Sequence, residues 1–115
     1  MTIDIRFRGL PNSELLRDHI IRRIRLQLRR LGKALGAIVV RLSDINGPRG
    51  GVDKRCQVML VRPGQRPLTI EEVNEDAYTA ANLAVERAAQ AAGRGLARGR
   101  SHRRRRSDDA KVVLA

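Results

Sequence analysis

The sequence predicts an α+β domain with a four-stranded mixed sheet and two helices packed on one face, in the order β-α-β-β-β-α. Three observations predict this fold. Four short stretches have the apolar pattern of strands, two longer stretches repeat apolar residues at helical spacing, and turn residues separate them. The chain has 115 residues, which suffices for one domain that folds without metals or disulfides.

The first strand and the first helix open the chain. Apolar residues alternate with charged ones at the start, and this period of two predicts a strand with one buried face. After a turn, Asn12 or Ser13 caps a helix over residues 13–32. The apolar residues of this helix recur at spacings of three and four, which places them on one face. They are Leu16, Ile20, Ile24, Leu28 and Leu31.

Three further strands follow the first helix. Residues 37–44, 54–62 and 67–73 are rich in apolar and β-branched side chains, and two turn-rich segments separate them. A strand–helix–strand start favours a right-handed crossover, so the first two strands are expected to be parallel and the later pairs antiparallel. The residues expected to face inward are Ile38, Val40, Leu42, Cys56, Val58, Leu60, Leu68 and Ile70.

The second helix begins after the fourth strand. Asn74 or Asp76 can cap it, and the acidic residues near its start suit the helix dipole. Three glycines interrupt its pattern, so we expect the helix to fray after about residue 92. The chain is therefore divided into a domain over residues 1–92 and an Arg-rich flexible tail over residues 93–115. The apolar stripe of the helix consists of Tyr78, Ala81, Val85, Ala88 and Ala92.

The net charge of +12 indicates a polyanionic partner. There are 24 Lys and Arg residues against 12 Asp and Glu, and residues 93–107 contain seven arginines and no acid. One Phe, one Tyr and no Trp leave little for stacking on bases, which argues against single-stranded nucleic acid read by aromatic side chains. Contacts with phosphate groups fit this composition better.

A row of arginines on the first helix is the most informative feature. Arg22, Arg25 and Arg29 fall opposite the apolar stripe, within about 11 Å of helix axis. Guanidinium forks suit the phosphate oxygens of a nucleic-acid backbone. A solvated helix face would include acids at i,i+4, but residues 19–33 contain none. The row therefore predicts phosphate contacts.

The His, Cys and acidic residues form no pattern typical of a catalytic or metal-binding site. Cys56 is expected on the inward side of a strand and is interpreted as structural. His19 is interpreted as a helix-border residue, and His102 lies among the arginines of the tail. These positions lack zinc-ligand spacing, and capping explains the acids of residues 71–76. We predict no enzymatic activity, no metal, no cofactor and no small-molecule substrate.

The segment between the second and third strands could be mistaken for a phosphate-binding loop. Residues 47–51 read Gly-Pro-Arg-Gly-Gly, but they lack the Lys-Ser/Thr ending and do not run directly into a helix. A hairpin loop is the better interpretation. Arg49, Lys54 and Arg55 remain candidates for contacts with backbone phosphates.

Membrane insertion and secretion are not indicated. No apolar run approaches the ~20 residues of a membrane span. The N-terminal stretch MTIDIRFRGL lacks the apolar region of a signal peptide. We expect a cytoplasmic protein that makes no membrane contact and is a monomer when free.

Three stretches of the chain together resemble the ribosome hibernation-promoting factors, in particular the short forms similar to ribosome-associated translation inhibitor Y. The stretches are IDIRFRGLPNSELLRDHIIRRI, DINGPRGGVDKRCQVML and EEVNEDAYTAANLAVERA, and they span about residues 2–90. The resemblance implies a fold similar to double-stranded-RNA-binding domains. It also implies binding to the small ribosomal subunit in the mRNA and transfer-RNA channel, which blocks translation and keeps idle ribosomes intact.

The resemblance also implies that basic residues of both helices contact ribosomal RNA. The chain departs from its relatives in the second helix, where alanines and glycines replace lysines and the basic residues lie further along. Our hypothesis is that the tail supplies these contacts. The extra domain by which long-form relatives pair ribosomes is not found, so we expect no such activity. The predicted ribosomal-RNA contacts are Arg22, Arg23, Arg25, Arg29, Arg30, Lys33, Arg49, Lys54, Arg87, Arg94 and Arg98.

Two other function classes remain open at this stage. The main alternative is a general RNA- or DNA-binding regulatory module that acts off the ribosome, which fits the composition equally well. An enzyme that uses Cys56 or the acidic cluster is the other. Competition with mRNA or transfer RNA separates the first alternative from the ribosomal role, and a Cys56→Ser variant tests the second.

Overall fold

The computed structural model describes residues 2–11, 13–45 and 53–105, with the side chains of Lys33 and residues 95–105 left aside. The predicted order β-α-β-β-β-α is confirmed, and each of the three later strands lies within one residue of its predicted bounds. A short 3-10 helix takes up the last part of the predicted first helix. The elements are β1 (Thr2–Arg8), α1 (Glu14–Leu28), the 3-10 helix (Arg29–Ala34), β2 (Ala37–Asp44), β3 (Lys54–Val61), β4 (Leu68–Asn74) and α2 (Ala77–Arg105).

The four strands form one sheet in the order β1-β2-β3-β4. β1 and β2 pair in parallel, whereas β3 is antiparallel to both β2 and β4. These pairings confirm the parallel first pair and the antiparallel later pairs expected from the sequence. Because β4 consequently runs in the same direction as β1 and β2, the helices that follow β1 and β4 both run back along the sheet in the opposite direction.

One hydrophobic core lies between the helices and the sheet. The inward residues of β2 and β3 are fully buried, as their alternation predicts. Ile20, Ile24 and Leu28 of α1 are also fully buried. Alanines dominate the buried stripe of α2, and their short side chains let this helix pack closely. These alanines are Ala80, Ala81, Ala84, Ala88, Ala89 and Ala92.

Side-chain caps define where both helices begin. Ser13 Oγ accepts a hydrogen bond from the backbone N–H of Leu16 at 3.1 Å. Asp76 Oδ2 accepts from the N–H of Thr79 at 3.2 Å and from its hydroxyl at 2.9 Å. Of the candidates in the sequence, Ser13 therefore caps α1 and Asp76 caps α2. Asn74 supports the second cap, because its Oδ1 accepts from the N–H of Asp76 at 3.0 Å.

The expected end of α2 near residue 92 is wrong, because the helix continues to Arg105. Each of the three glycines in this segment costs about 1 kcal/mol in a helix interior. The helix is already nucleated before it reaches them, and the Ala, Leu and Arg residues between them are good helix formers. Residues 106–115 lie outside the described residues, and the division into a domain and a flexible tail stays a prediction.

Candidate nucleic-acid interface

The two helices lie side by side and run in the same direction. Near their starts, His19 Nε2 lies 2.7 Å from Asn82 Oδ1, and the His19 ring meets the Tyr78 ring edge-on at 5.0 Å. Near the end of α1, a Cβ built on Gly93 of α2 would lie 4.0 Å from Arg30 Nη2. His19 is therefore a structural link between helices, and both helix C-termini point to one end of the domain.

This parallel packing separates charge along the helical layer. Acids lie in or near the first turn of each helix, where they suit the positive end of the helix dipole. These acids are Glu14, Asp18, Glu75 and Asp76. Five of the basic residues that follow are exposed and lie toward the other end of the helical layer. We call Arg22, Arg25, Arg29, Arg30 and Arg94 the helical arginine cluster.

The helical arginine cluster has no acidic counterpart in the part of the chain that the structure describes. No carboxylate there forms an ion pair with any of its five members. Arg30 and Arg94 come from different helices, and the contact between Arg30 and Gly93 places them at the same end. The structure thus brings predicted contacts from both helices onto one surface.

Arg23 differs from its neighbours on α1. It is partly buried, and its Nε is enclosed without a hydrogen-bond partner among the described residues. Arg23 lies one helical turn after His19, on the flank of α1 that faces α2. Less of its guanidinium group is therefore available to a ligand than in the exposed cluster.

Lys54 lies away from the cluster, at the end of the sheet where the helices begin. Its Nζ forms ion pairs with Asp53 Oδ2 at 2.8 Å and with Asp44 Oδ2 at 3.7 Å. The hydrogen bond to Asp53 raises the pKa of Lys54 above its ordinary value, with a smaller contribution from the charge of Asp44. The two carboxylates already satisfy this ammonium group, which weakens its case as a phosphate contact.

The remaining predicted contacts fall into two groups. Arg87 of α2 is exposed over 56% of its side chain but forms an ion pair with Glu72 of β4. Arg49 lies outside the described residues. The side chains of Lys33, in the 3-10 helix, and of Arg98, in α2, also lie outside the described part of the molecule.

Sequence reasoning missed a second basic surface, of which it named only Arg55 as a candidate phosphate contact. Arg6, Arg8, Arg41 and Arg55 line a cleft of about 550 Å³ on the face of the sheet that the helices leave uncovered. Alternation in the sequence shows only that such residues point away from the core. The register that places Arg6 opposite Arg41 depends on strand pairing, which the sequence alone does not reveal.

Cys56 and Arg62 are buried, and their surroundings indicate structural rather than catalytic or binding roles. Cys56 is fully buried, and burial raises the pKa of its thiol from 9.0 to about 12, which disfavours the nucleophilic thiolate. Arg62 is 3% exposed, and its Nη2 donates to the carbonyl of Arg66 at 2.9 Å within the β3–β4 hairpin. Burial lowers the pKa of Arg62. The inward position predicted for Cys56 is confirmed.

Metal-ion sites and membrane-spanning helices are both absent from the described residues. No group of three or more His, Cys, Asp or Glu side chains there could hold a metal ion. No helix in the same part of the chain is long and apolar enough to cross a membrane.

These features define a class of protein: a small β-α-β-β-β-α domain with a basic helical surface. Residues 3–94 match the family model described as Sigma 54 modulation protein / S30EA ribosomal protein, and the chain belongs to this family. The family resemblance drawn from the sequence is thereby confirmed. A comparison with curated proteins found no match.

Two solved structures share the fold. A ribosomal subunit interface protein from Coxiella burnetii has a TM-score of 0.68 and 15% identity, covering 84% of this chain and 99% of that chain. The N-terminal domain of Protein Y from Thermus thermophilus has a TM-score of 0.59 and 23% identity, covering 78% of this chain and 93% of that one. At these identities the likeness establishes the fold.

Proposed function

We propose that this protein binds the small ribosomal subunit in the mRNA and transfer-RNA channel and blocks translation in idle ribosomes. The observation that carries the proposal is the helical arginine cluster, five exposed guanidinium groups that no described carboxylate neutralises. Family membership supports a ribosomal partner. On this proposal the protein acts as a monomer in the cytoplasm, by occupying space rather than by catalysis.

The physical case for ribosomal RNA begins with repulsion within the cluster. Like charges at i,i+4, such as Arg25 and Arg29, destabilise a helix by a few tenths of a kcal/mol. A polyanion that lies along the cluster removes this cost and gains bidentate hydrogen bonds from the guanidinium forks. Ribosomal RNA presents phosphate groups at high density, so it matches both the charge and the geometry.

Phosphate contacts carry no base sequence information. The fit of the domain to the shape of its site must therefore supply specificity for one position on the ribosome. A channel that normally holds mRNA and transfer RNA is lined by RNA, so it suits a domain that binds polyanions. The domain in this channel excludes mRNA and transfer RNA by occupying their space. This mechanism requires no catalytic residue.

Co-sedimentation with separated ribosomal subunits at physiological salt tests the proposal. Stoichiometric binding to the small subunit is expected, with loss of binding when mRNA and transfer RNA fill the channel. The double variant Arg25→Gln, Arg29→Gln should bind more weakly than the charge-matched control Thr2→Glu, Gln65→Glu. Both variants lower the net charge by two, and the control changes only exposed residues outside the cluster.

Equal binding to both subunits and to bulk RNA would contradict the ribosomal role. It would favour the alternative, a general RNA- or DNA-binding regulatory module that acts off the ribosome. The observation behind this alternative is that guanidinium groups arranged for backbone contacts bind phosphates of any nucleic acid. An enzyme that uses Cys56 is disfavoured, because the thiol is fully buried and its pKa is raised to about 12.

The C-terminal segment is the second part of the proposal. We propose that the arginines of residues 93–115 supply contacts that relatives make with lysines of the second helix. Deletion of these residues should weaken binding to the small subunit at moderate salt. Circular dichroism of the shortened protein checks that the domain is intact, and an unchanged affinity would remove the segment from the interface.

A further inference from the structure

The uncovered face of the sheet carries a basic surface separate from the helical arginine cluster. Arg6 lies opposite Arg41 in the parallel pair of β1 and β2. Ser43 lies between Arg8 and Arg55 in the next row of the same face. We call the cleft around these residues the sheet-face cleft, and its volume is about 550 Å³.

Few acids neutralise this cleft. Arg6 Nη2 forms an ion pair with Asp4 Oδ2 at 2.8 Å. Asp44 also lines the cleft but forms an ion pair with Lys54 at 3.7 Å. In the described part of the chain, no carboxylate forms an ion pair with the other three arginines of the cleft. These three are Arg8, Arg41 and Arg55.

Protection of a sheet edge does not account for the arrangement. Charged side chains on an edge strand prevent strand-to-strand aggregation, which covers Arg6 and Arg8 on β1. Arg41 and Arg55 lie on β2 and β3, the two central strands. Like charges directly opposite each other on neighbouring strands destabilise a sheet. Asp4 offsets this cost at Arg6, whereas Arg41 forms no ion pair with a described carboxylate.

The dimensions of the cleft suit a chain of phosphate groups. Residues two apart on a strand are about 6.6 Å apart, and positions two strands apart are separated by about 9.6 Å. Arg6 and Arg8 have the first spacing, and Arg8 and Arg55 have the second. The hydroxyl of Ser43 and the amide of Gln57 add uncharged donors. Phe7 also lines the cleft, but strand alternation directs its ring toward the core, against which it packs.

We propose that the sheet-face cleft binds the phosphate backbone of a second RNA segment, so that the domain contacts RNA on both of its faces. The inference rests on the proposed ribosomal function and extends it. The helices cover one face of the sheet and the cleft lies on the other, so one segment of RNA does not reach both surfaces. A domain held between two RNA segments suits a channel whose walls are RNA.

Salt-dependent binding to the small subunit tests the inference with the variant Arg8→Gln, Arg41→Gln. Both residues are exposed, so the fold should stay intact, and a melting temperature no lower than that of the unmodified protein checks this. Loss of two phosphate contacts should reduce the magnitude of the slope of log K against log salt by about 1.4–1.8. Affinity at physiological salt should fall roughly tenfold or more.

Two matched variants complete the design. Thr2→Glu, Gln65→Glu lowers the net charge by the same two units outside the cleft, and its slope should stay near that of the unmodified protein. Arg8→Lys, Arg41→Lys retains the charges and should restore the slope. If Arg8→Gln, Arg41→Gln behaves like the charge-matched control, the cleft makes no RNA contact and the inference is overturned.

Failure of the inference and failure of the proposed function give different results. The preference of the unmodified protein for small over large subunits reports on the function, whereas the difference between cleft variant and control reports on the cleft. Isothermal titration calorimetry with inorganic pyrophosphate tests whether the cleft instead binds a small phosphorylated ligand. If the cleft variant loses pyrophosphate binding but keeps the RNA slope of the control, the cleft serves a small anion and the RNA inference is overturned.

Discussion

Burial sets the chemistry of individual side chains in this protein. Cys56 and Arg62 are buried, and in each case desolvation favours the neutral form of the side chain. Burial therefore raises the pKa of Cys56 and lowers the pKa of Arg62. Lys54 shows the opposite effect, because a hydrogen bond from its ammonium group to Asp53 raises its pKa. The residues available to an anionic ligand are instead the exposed arginines.

We predict that Cys56 resists alkylation in the folded protein. Burial raises the thiol pKa from 9.0 to about 12, so iodoacetamide at pH 8 should react slowly before unfolding and rapidly in denaturant. Because Cys56 is the single cysteine, the mass increase of the protein measures alkylation of this one thiol. Equal rates in both states would show that the thiol is accessible.

The same shift has a consequence for stability. The folded state favours the protonated thiol, so this contribution is complete below pH 9.0 and is lost as the pH rises toward about 12. Urea unfolding between pH 8 and pH 11 should show a decrease in the free energy of unfolding. A Cys56→Ala variant removes the thiol and provides the control, with a smaller decrease over the same interval.

The secondary-structure elements follow from local patterns to an unequal extent. The strands and the buried stripe of α1 match their predictions, because periods of two and 3.6 identify the side chains that a single core must cover. The end of α2 does not match its prediction. The glycines indicate a local free-energy cost, but they do not show whether a helix that has already formed continues through them. The caps at Ser13 and Asp76 were each among two sequence candidates, and geometry selected one.

We predict that two apolar residues of α1 differ sharply in their contribution to stability. Ile24 is fully buried, whereas Leu26 is 73% exposed. Ile24→Ala should lower the free energy of unfolding by about 2–5 kcal/mol, and Leu26→Ala should change it by less than about 0.5 kcal/mol. Urea denaturation monitored by circular dichroism measures both. Comparable losses would contradict the orientation of α1.

A pair of glycine substitutions tests the continuation of α2. Gly93 lies within the helix, and a Cβ there would meet only Arg30 Nη2 at 4.0 Å, so Gly93→Ala should stabilise the protein by about 0.4–1 kcal/mol. Gly64 has φ +76°, where a Cβ is strained by roughly 1–2 kcal/mol, so Gly64→Ala should destabilise. Thermal melting compares the two. Destabilisation by Gly93→Ala would indicate that the helix ends before this residue.

At the scale of the whole molecule, parallel packing of the helices polarises the charge. The topology makes α1 and α2 run in the same direction. As a result, His19 lies beside Asn82 near the helix starts, and Arg30 lies beside Gly93 further along. Apart from Glu86 within α2, the acids of the helical layer therefore lie at one end and the arginines without ion pairs lie toward the other. The sheet-face cleft adds a second basic surface on the opposite side of the sheet.

We predict that the helical arginine cluster determines affinity without selecting an RNA sequence. Arg25→Gln, Arg29→Gln should reduce the magnitude of the salt slope by about 1.4–1.8 for every RNA tested. Filter binding at several salt concentrations, with two RNAs of equal length and different sequence, measures this. A loss confined to one sequence would show that these side chains read bases.

The sequence by itself determined the order of the elements, the residues of the core, the basic face of α1 and the family resemblance. Each depends on neighbours in the chain, on periodicity or on composition, which a linear sequence displays directly. Only the tertiary structure decided that Arg30 and Arg94 share one end, that carboxylates satisfy Lys54 and Arg87, and that four strand arginines line one cleft. Strand register and helix packing bring together residues far apart in the chain, and local periodicity contains no information about which ones meet.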